Sequence, residues 1–275
     1  MVTAAALAVD SGRHDQRGRR LAVVVGGASA GTALGVPLGT FLSSAVGWRA
    51  IFYGIAVLSV LIVIGGAISL RPVSERSKAP ARTGLGGRLA LLTLVTTMLW
   101  ATGSFTFFTY IGVVLSEAAA VGATGLAGFL LLFGAAGILG AIAAGSLTDR
   151  KGPLVPLVAA LVLIAAALTA LGVISAAADR TSLSALIASA LALTAYGIGT
   201  WAITPPQQHR LLNIRGDERL LLALNGSALY AGVAIGSALG GIILATTGTV
   251  ALCLSAAGID LLALATIAAA RGATA

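Results

Sequence analysis

PLVPLVAALVLIAAALTALGVISA, Pro153 to Ala176, contains no charged residue. As a helix rising 1.5 Å per residue, a run of this length crosses the ~30 Å of hydrocarbon in a bilayer. As a strand it would be too long for a membrane barrel, and it lacks the period-2 alternation that a barrel strand needs. The stretch reads as a transmembrane helix. Seven other segments read the same way: Leu21–Ser44, Ala50–Leu70, Leu89–Leu115, Thr124–Thr148, Ser182–Thr204, Leu220–Thr246 and Val250–Ala270. The expected fold is therefore all-α and membrane-integral, with about eight spans.

Composition agrees. Of the 275 residues 58% are hydrophobic and only 9% charged, with a mean hydropathy of +1.02. A soluble domain covers its surface with roughly 25% charged residues, so the surface of this chain faces lipid. The net charge of +8 does not signal nucleic acid, because the basic residues form no patch interleaved with aromatics. They sit in the breaks between apolar runs. Arg13, Arg17, Arg19 and Arg20 precede the first segment, and Arg71, Arg76, Lys78, Arg82 and Arg88 lie between the second and third. Arg150 and Lys151, then Arg210, Arg215 and Arg219, and finally Arg271 fall on the same side, leaving only Arg49 and Arg180 on the other. This asymmetry places both termini in the cytoplasm of a multi-pass cell-membrane protein.

The apolar start, Met1 to Val9, has its arginines after it and not before, the reverse of a secretory signal. Cys253 stands alone in an apolar run and reads as a packing residue, and neither His14 nor His209 has a metal-ligand partner at useful spacing. No phosphate loop, metal cluster or nucleophile triad is present, so an enzyme is not expected.

The first and seventh segments align without gaps at an offset of 201. Gly31, Gly35, Gly39 and Gly47 pair with Gly232, Gly236, Gly240 and Gly248, and Leu21, Ala22, Ala30, Ala33, Leu38 and Ala50 also find identical partners. Parallel repeats of this kind build transporters that hold substrate between two halves. Four helices precede the matched pair in the second half, so the repeat predicts that on the order of 110 residues are missing before Met1.

Two motifs carry a family resemblance. GTALGVPLGT, Gly31 to Thr40, followed by GWRAIF, Gly47 to Phe52, resembles the fifth-helix motif of antiporters, with Thr40 where a second glycine is common. GSLTDRKG, Gly145 to Gly152, resembles the second-half cytoplasmic loop motif of the major facilitator superfamily. FTYIGVVL (108–115), TPPQQHRLL (204–212) and NGSALYAGVAIGSALGG (225–241) are similar to the same subgroup. The chain thus resembles bacterial drug/proton antiporters of the arabinose-efflux and chloramphenicol-resistance type. The resemblance implies a partial fold. Residues 1–70 would be the end of the fourth helix with the fifth and sixth, 71–87 a cytoplasmic linker, and 88–275 a complete six-helix C-terminal bundle. It also implies a proton gradient as driving force, no cofactor, a small-molecule substrate, no nucleic-acid partner and a monomer at full length.

Candidate residues follow, each with a plainer alternative. Gly31, Gly35 and Gly39, with Pro37 bending the helix, form either a tight seam between halves or ordinary small-residue packing. Their mates Gly232, Gly236 and Gly240 lack the proline and read as packing. Gly145, Asp149, Arg150 and Gly152 form either a latch onto the start of the Leu21–Ser44 helix, across the halves, or a simple topology signal. Asp260 is read as the only charge inside a span, either a proton-carrying acid or a buried neutral one. Trp100, Phe105, Phe108, Tyr110, Trp201, Asn225 and Tyr230 either line an apolar cavity or pack in the core. The functional reading is proton-coupled export of small, mostly apolar compounds by alternating access. The competing readings are a non-transporting truncated remnant and a part that needs another chain to complete the fold.

Overall fold

The structure, a computed structural model, describes residues 46–69, 87–176, 181–214 and 216–272, together with Gly35, Gly39 and Leu42. The chain divides into two compact units, Met1–Ala81 and Arg82–Ala275. Every regular element described is an α-helix.

In the first unit, α1 spans Trp48–Ser69. It starts after Gly47, whose φ of +81° suits glycine. The Trp48 ring packs edge-on to Phe52 at 6.0 Å and carries the Arg49 guanidinium 4.6 Å above it. The apolar window of α1 has no residue buried, and Phe52, Tyr53 and Val63 are exposed.

The second unit contains α2 (Gly87–Phe108), α3 (Ile111–Ala119), α4 (Ala123–Lys151), α5 (Leu154–Ala176), α6 (Leu183–Ala202), α7 (Thr204–Leu212) and α8 (Glu218–Gly272). Six described stretches of the whole chain are long and apolar enough to cross a membrane. The last of these, Leu220–Ala270, has 51 residues, about 77 Å of helix and over twice the hydrocarbon thickness. Gly248, at φ 85° and ψ −174°, divides α8 into two arms, 218–247 and 249–272. That backbone conformation is close to glycine-only. Gly47 and Gly248 are partners in the 201-residue repeat, and their φ values of 81° and 85° agree.

Two sequence expectations change. The segment 89–115 is not one helix. It breaks at Thr109–Tyr110, where the Tyr110 hydroxyl donates to the Ser237 carbonyl at 2.9 Å and anchors the turn. The segment ending at Thr204 continues to Leu212 as α7, so one apolar stretch runs Leu183–Leu212. Pro205 and Pro206 lack the N–H groups that would serve Trp201 and Ala202, which interrupts the ladder, yet proline suits the start of the next helix. Arg210 lies in the last turn of this extended stretch. Residues 70–86, which hold most of the expected linker, and most of the Leu21–Ser44 segment lie outside the described residues.

The organising element is α2, clasped by both arms of α8. Along the first arm the register is parallel: Thr97 meets Asn225, Thr106 meets Gly236 and Thr109 meets Ser237. Along the second it is antiparallel: Thr96 meets Thr266, and Gly103 meets Ala256 and Asp260. Small residues make the parallel contact possible. A Cβ on Gly232 would sit 2.5 Å from the Met98 carbonyl oxygen, and one on Gly240 2.5 Å from that of Thr106. Lipid supplies no hydrophobic drive for helices to associate, so this close backbone approach and those hydrogen bonds bind the arm to α2.

Candidate functional site

The polar side chains of the second unit gather on α2. Near its start Thr93 and Thr97 lie one turn apart on one face. The Gln207 amide of α7 donates from Nε2 to the Thr93 carbonyl at 2.7 Å and to Thr97 Oγ1 at 2.8 Å. Thr97 Oγ1 in turn donates to Asn225 Oδ1 on α8 at 2.7 Å. Arg210, one turn beyond Gln207 and 8% exposed, donates from Nη1 to Gln207 Oε1 at 3.2 Å. The network ties α2, α7 and α8 together beside an apolar plug of Ala90, Leu211, Ile214 and Leu221. Gln207 and Arg210 escaped the sequence reading. With the segment ended at Thr204, Arg210 falls among the loop charges. The available signal was the i, i+4 pair Thr93/Thr97 and the i, i+3 pair Gln207/Arg210, two polar faces suited to each other.

Farther along α2 the site becomes aromatic. Tyr196 of α6, fully buried, packs edge-on to Phe107 at 4.9 Å and stacks on Phe133 of α4 at 5.7 Å. Phe108 meets Phe133 at 5.1 Å and Phe105 at 5.7 Å. The Tyr196 hydroxyl donates to the Ser104 carbonyl at 2.9 Å. Trp100 is buried with its Nε1 unpartnered among the described residues, and the same holds for Trp201 Nε1. Asp260, with no exposed surface, faces α2 at Gly103. Neither carboxyl oxygen has a hydrogen-bond partner among the described residues.

Of the sequence candidates, Trp100, Phe108, Tyr110 and Trp201 contribute to the core or pack on it. Phe105 joins through its ring contact with Phe108, and Asn225 through the polar network. Tyr230 differs: it is 73% exposed and points away from the bundle interior. Asp149 and Arg150 are exposed at the end of α4. Gly152 caps that helix with φ 77° and donates its N–H to the Thr148 carbonyl at 2.9 Å. The partner assigned to the Asp149 latch lies outside the described residues, as do Gly31 and Pro37. A Cβ built on Gly35 or Gly39 meets no described atom within 4 Å, whereas their repeat mates Gly236 and Gly240 press on α2. At the far end of the bundle Thr249 Oγ1 donates to Glu117 Oε2 at 2.6 Å, securing the second arm of α8 to α3 just after the Gly248 bend.

Comparison with known proteins adds a family. The family model described as Major Facilitator Superfamily matches residues 1–213. The chain is 28% identical to the uncharacterized MFS-type transporter YbcL of Bacillus subtilis over 88% of its own length and 61% of that protein's. It is 33% identical to a chloramphenicol resistance protein of Streptomyces lividans over 55% of this chain and 39% of that one. It is 31% identical to the purine ribonucleoside efflux pump NepI of Salmonella paratyphi C over 66% and 47%. The chain thus spans between about two-fifths and three-fifths of the length of these relatives.

Proposed function

The chain belongs to the major facilitator superfamily, and on that premise we propose that it is the second bundle, with the helices before it, of a secondary active transporter that exports small, mostly apolar compounds in exchange for protons. The family match over residues 1–213 carries this reading. The chemistry of the second unit suits it. Phe105 and Phe108, half-buried and backed by the buried Phe133 and Tyr196, offer an apolar wall, and the Gln207–Thr97–Asn225 network fixes the helices around it. Such a wall selects by shape and apolarity, with few directional contacts. Two relatives named for chloramphenicol resistance and purine ribonucleoside efflux point to compact ring-bearing substrates. Alternating access then rocks one bundle against another about a central site.

The orientation in the membrane is part of the proposal: both termini face the cytoplasm. Reporter fusions after Arg82 and after Asp179 report opposite sides under this topology, and two reporters on the same side would end it.

Export is tested by drug accumulation in cells lacking their own efflux pumps. A protein carrying this chain joined to a first bundle lowers chloramphenicol accumulation, and an uncoupler abolishes the effect. Export that survives the uncoupler refutes proton coupling. A second reading has its own support: the chain spans 61% or less of the cited relatives. On it, the 275 residues alone export nothing and act only with further helices. Uncoupler-sensitive export by the 275-residue chain alone would overturn that second reading.

A further inference from the structure

Asp260 sits near the middle of the second arm of α8, fully enclosed by protein. Its neighbour on α2 is Gly103, and the fit is close. A Cβ at Gly103 would stand 2.8 Å from Asp260 Cγ, 2.8 Å from Oδ1 and 2.8 Å from the Ala256 carbonyl oxygen. The carboxyl therefore occupies the notch that the missing side chain leaves. Both oxygens are without a partner among the described residues.

Among the described residues, the groups around it offer no counter-charge. From α6 the titratable neighbour is Tyr196, within electrostatic reach, but its hydroxyl proton is already given to the Ser104 carbonyl at 2.9 Å. On α2 the only titratable side chain is Arg88, at the opposite end from the notch, and α5 has none. The arm itself carries Cys253, two turns away, and Arg271 at its end. Among the described residues, a bare carboxylate there would have neither a paired cation nor converging donors, the compensation that buried charges use. The neutral acid leaves only an ordinary polar group under-satisfied, a far smaller penalty.

We infer that Asp260 is a proton-binding site of the second bundle, holding its proton while the 249–272 arm is seated on α2 at Gly103 and releasing it when that seam opens to water. The inference rests on the proton-exchange reading above and names a group for it. The step is simple in its balance. The carboxyl O–H bond breaks, the proton passes to water, and the electron pair stays on the carboxylate, which then needs the water that opened the seam. The Thr96–Thr266 hydrogen bond of 2.7 Å closes the same seam two turns away along α2, so opening at Gly103 also strains that contact.

The test reads the acid directly in the purified chain in detergent micelles, with no substrate and no gradient, so its outcome is independent of whether export occurs. Infrared absorption separates a protonated carboxylic acid from a carboxylate. At about pH 8 an ordinary Asp or Glu is more than 99.9% ionised. The expected result is a protonated-acid band with the intensity of one group at that pH, lost in Asp260→Asn. In the same micelles, the unfolding equilibrium constant of the wild type rises relative to Asp260→Asn by up to tenfold per pH unit while the native acid stays protonated. Gly103→Ala, which wedges the seam, lowers the pH at which the band disappears. Absence of the band in the wild type at about pH 8, or a band unchanged in Asp260→Asn, overturns the proposal. Because the band is read in the wild type, the test stands even if a variant fails to fold.

Discussion

Replacing Gly236 by alanine probes the contact that holds the first arm of α8 to α2. The added Cβ would meet the Thr102 carbonyl oxygen, and would lie 3.0 Å from the Thr102 carbonyl carbon and 3.0 Å from the Thr106 nitrogen. All three are backbone atoms, so no side chain can turn aside. Relief requires the two helices to part by roughly 1 Å, which sacrifices dispersion contacts along the seam. Overpacking of this kind costs about 1–3 kcal/mol. Alanine returns about 0.5–1 kcal/mol through its greater helix propensity. The net expectation is a loss of up to about 2.5 kcal/mol, as much as a roughly 70-fold rise in the unfolding constant by the tenfold-per-1.36-kcal/mol rule. Gly226, on the same helix, supplies the control. Its Cβ would meet nothing within 4 Å, so Gly226→Ala keeps only the propensity gain and stabilises slightly. The assay is unfolding of the purified chain in mixed detergent micelles, with both variants measured side by side. Equal effects from the two substitutions would refute the view that backbone contact at Gly236 binds the arm to α2.

Other expectations follow from single positions. Ala120 holds φ 49° and ψ 34° at the end of α3, a left-handed conformation that costs alanine about 1–2 kcal/mol, so Ala120→Gly raises the unfolding midpoint in the same assay. Gly248→Ala forces a side chain into the bend between the arms of α8 and lowers stability by about 1–3 kcal/mol. Gln207→Ala removes the acceptor of the buried Arg210 and a donor to Thr93 and Thr97. It destabilises by about 1–3 kcal/mol, and Gln207→Glu, which keeps an acceptor for Arg210, loses less than Gln207→Ala.

Membrane residence and helical class were legible in the chain itself. A bilayer judges each residue by its own transfer energy, so a run such as Pro153 to Ala176 declares its place without help from distant residues. The repeat was legible for a similar reason. Gly47 and Gly248 recur because each stands where the backbone takes a positive φ that only glycine accepts readily. Composition also marked Asp260 as costly in its span before any neighbour was known.

Tertiary structure decided what those residues do. Nothing local to Gly103 says that a carboxyl from a helix more than 150 residues later fills its notch, because the contact depends on the rotation and depth of two separately formed helices. The same holds for Gln207, whose amide finds Thr93 and Thr97 only once α7 continues past Pro205 and Pro206. Tyr230, by contrast, is exposed on α8, a placement that its aromatic character alone does not give. Hydrophobic periodicity carries little of this information in a membrane, where both faces of a helix are apolar. Which face packs is set by small residues and hydrogen-bonding side chains meeting across the interface, and that meeting exists only in the folded bundle.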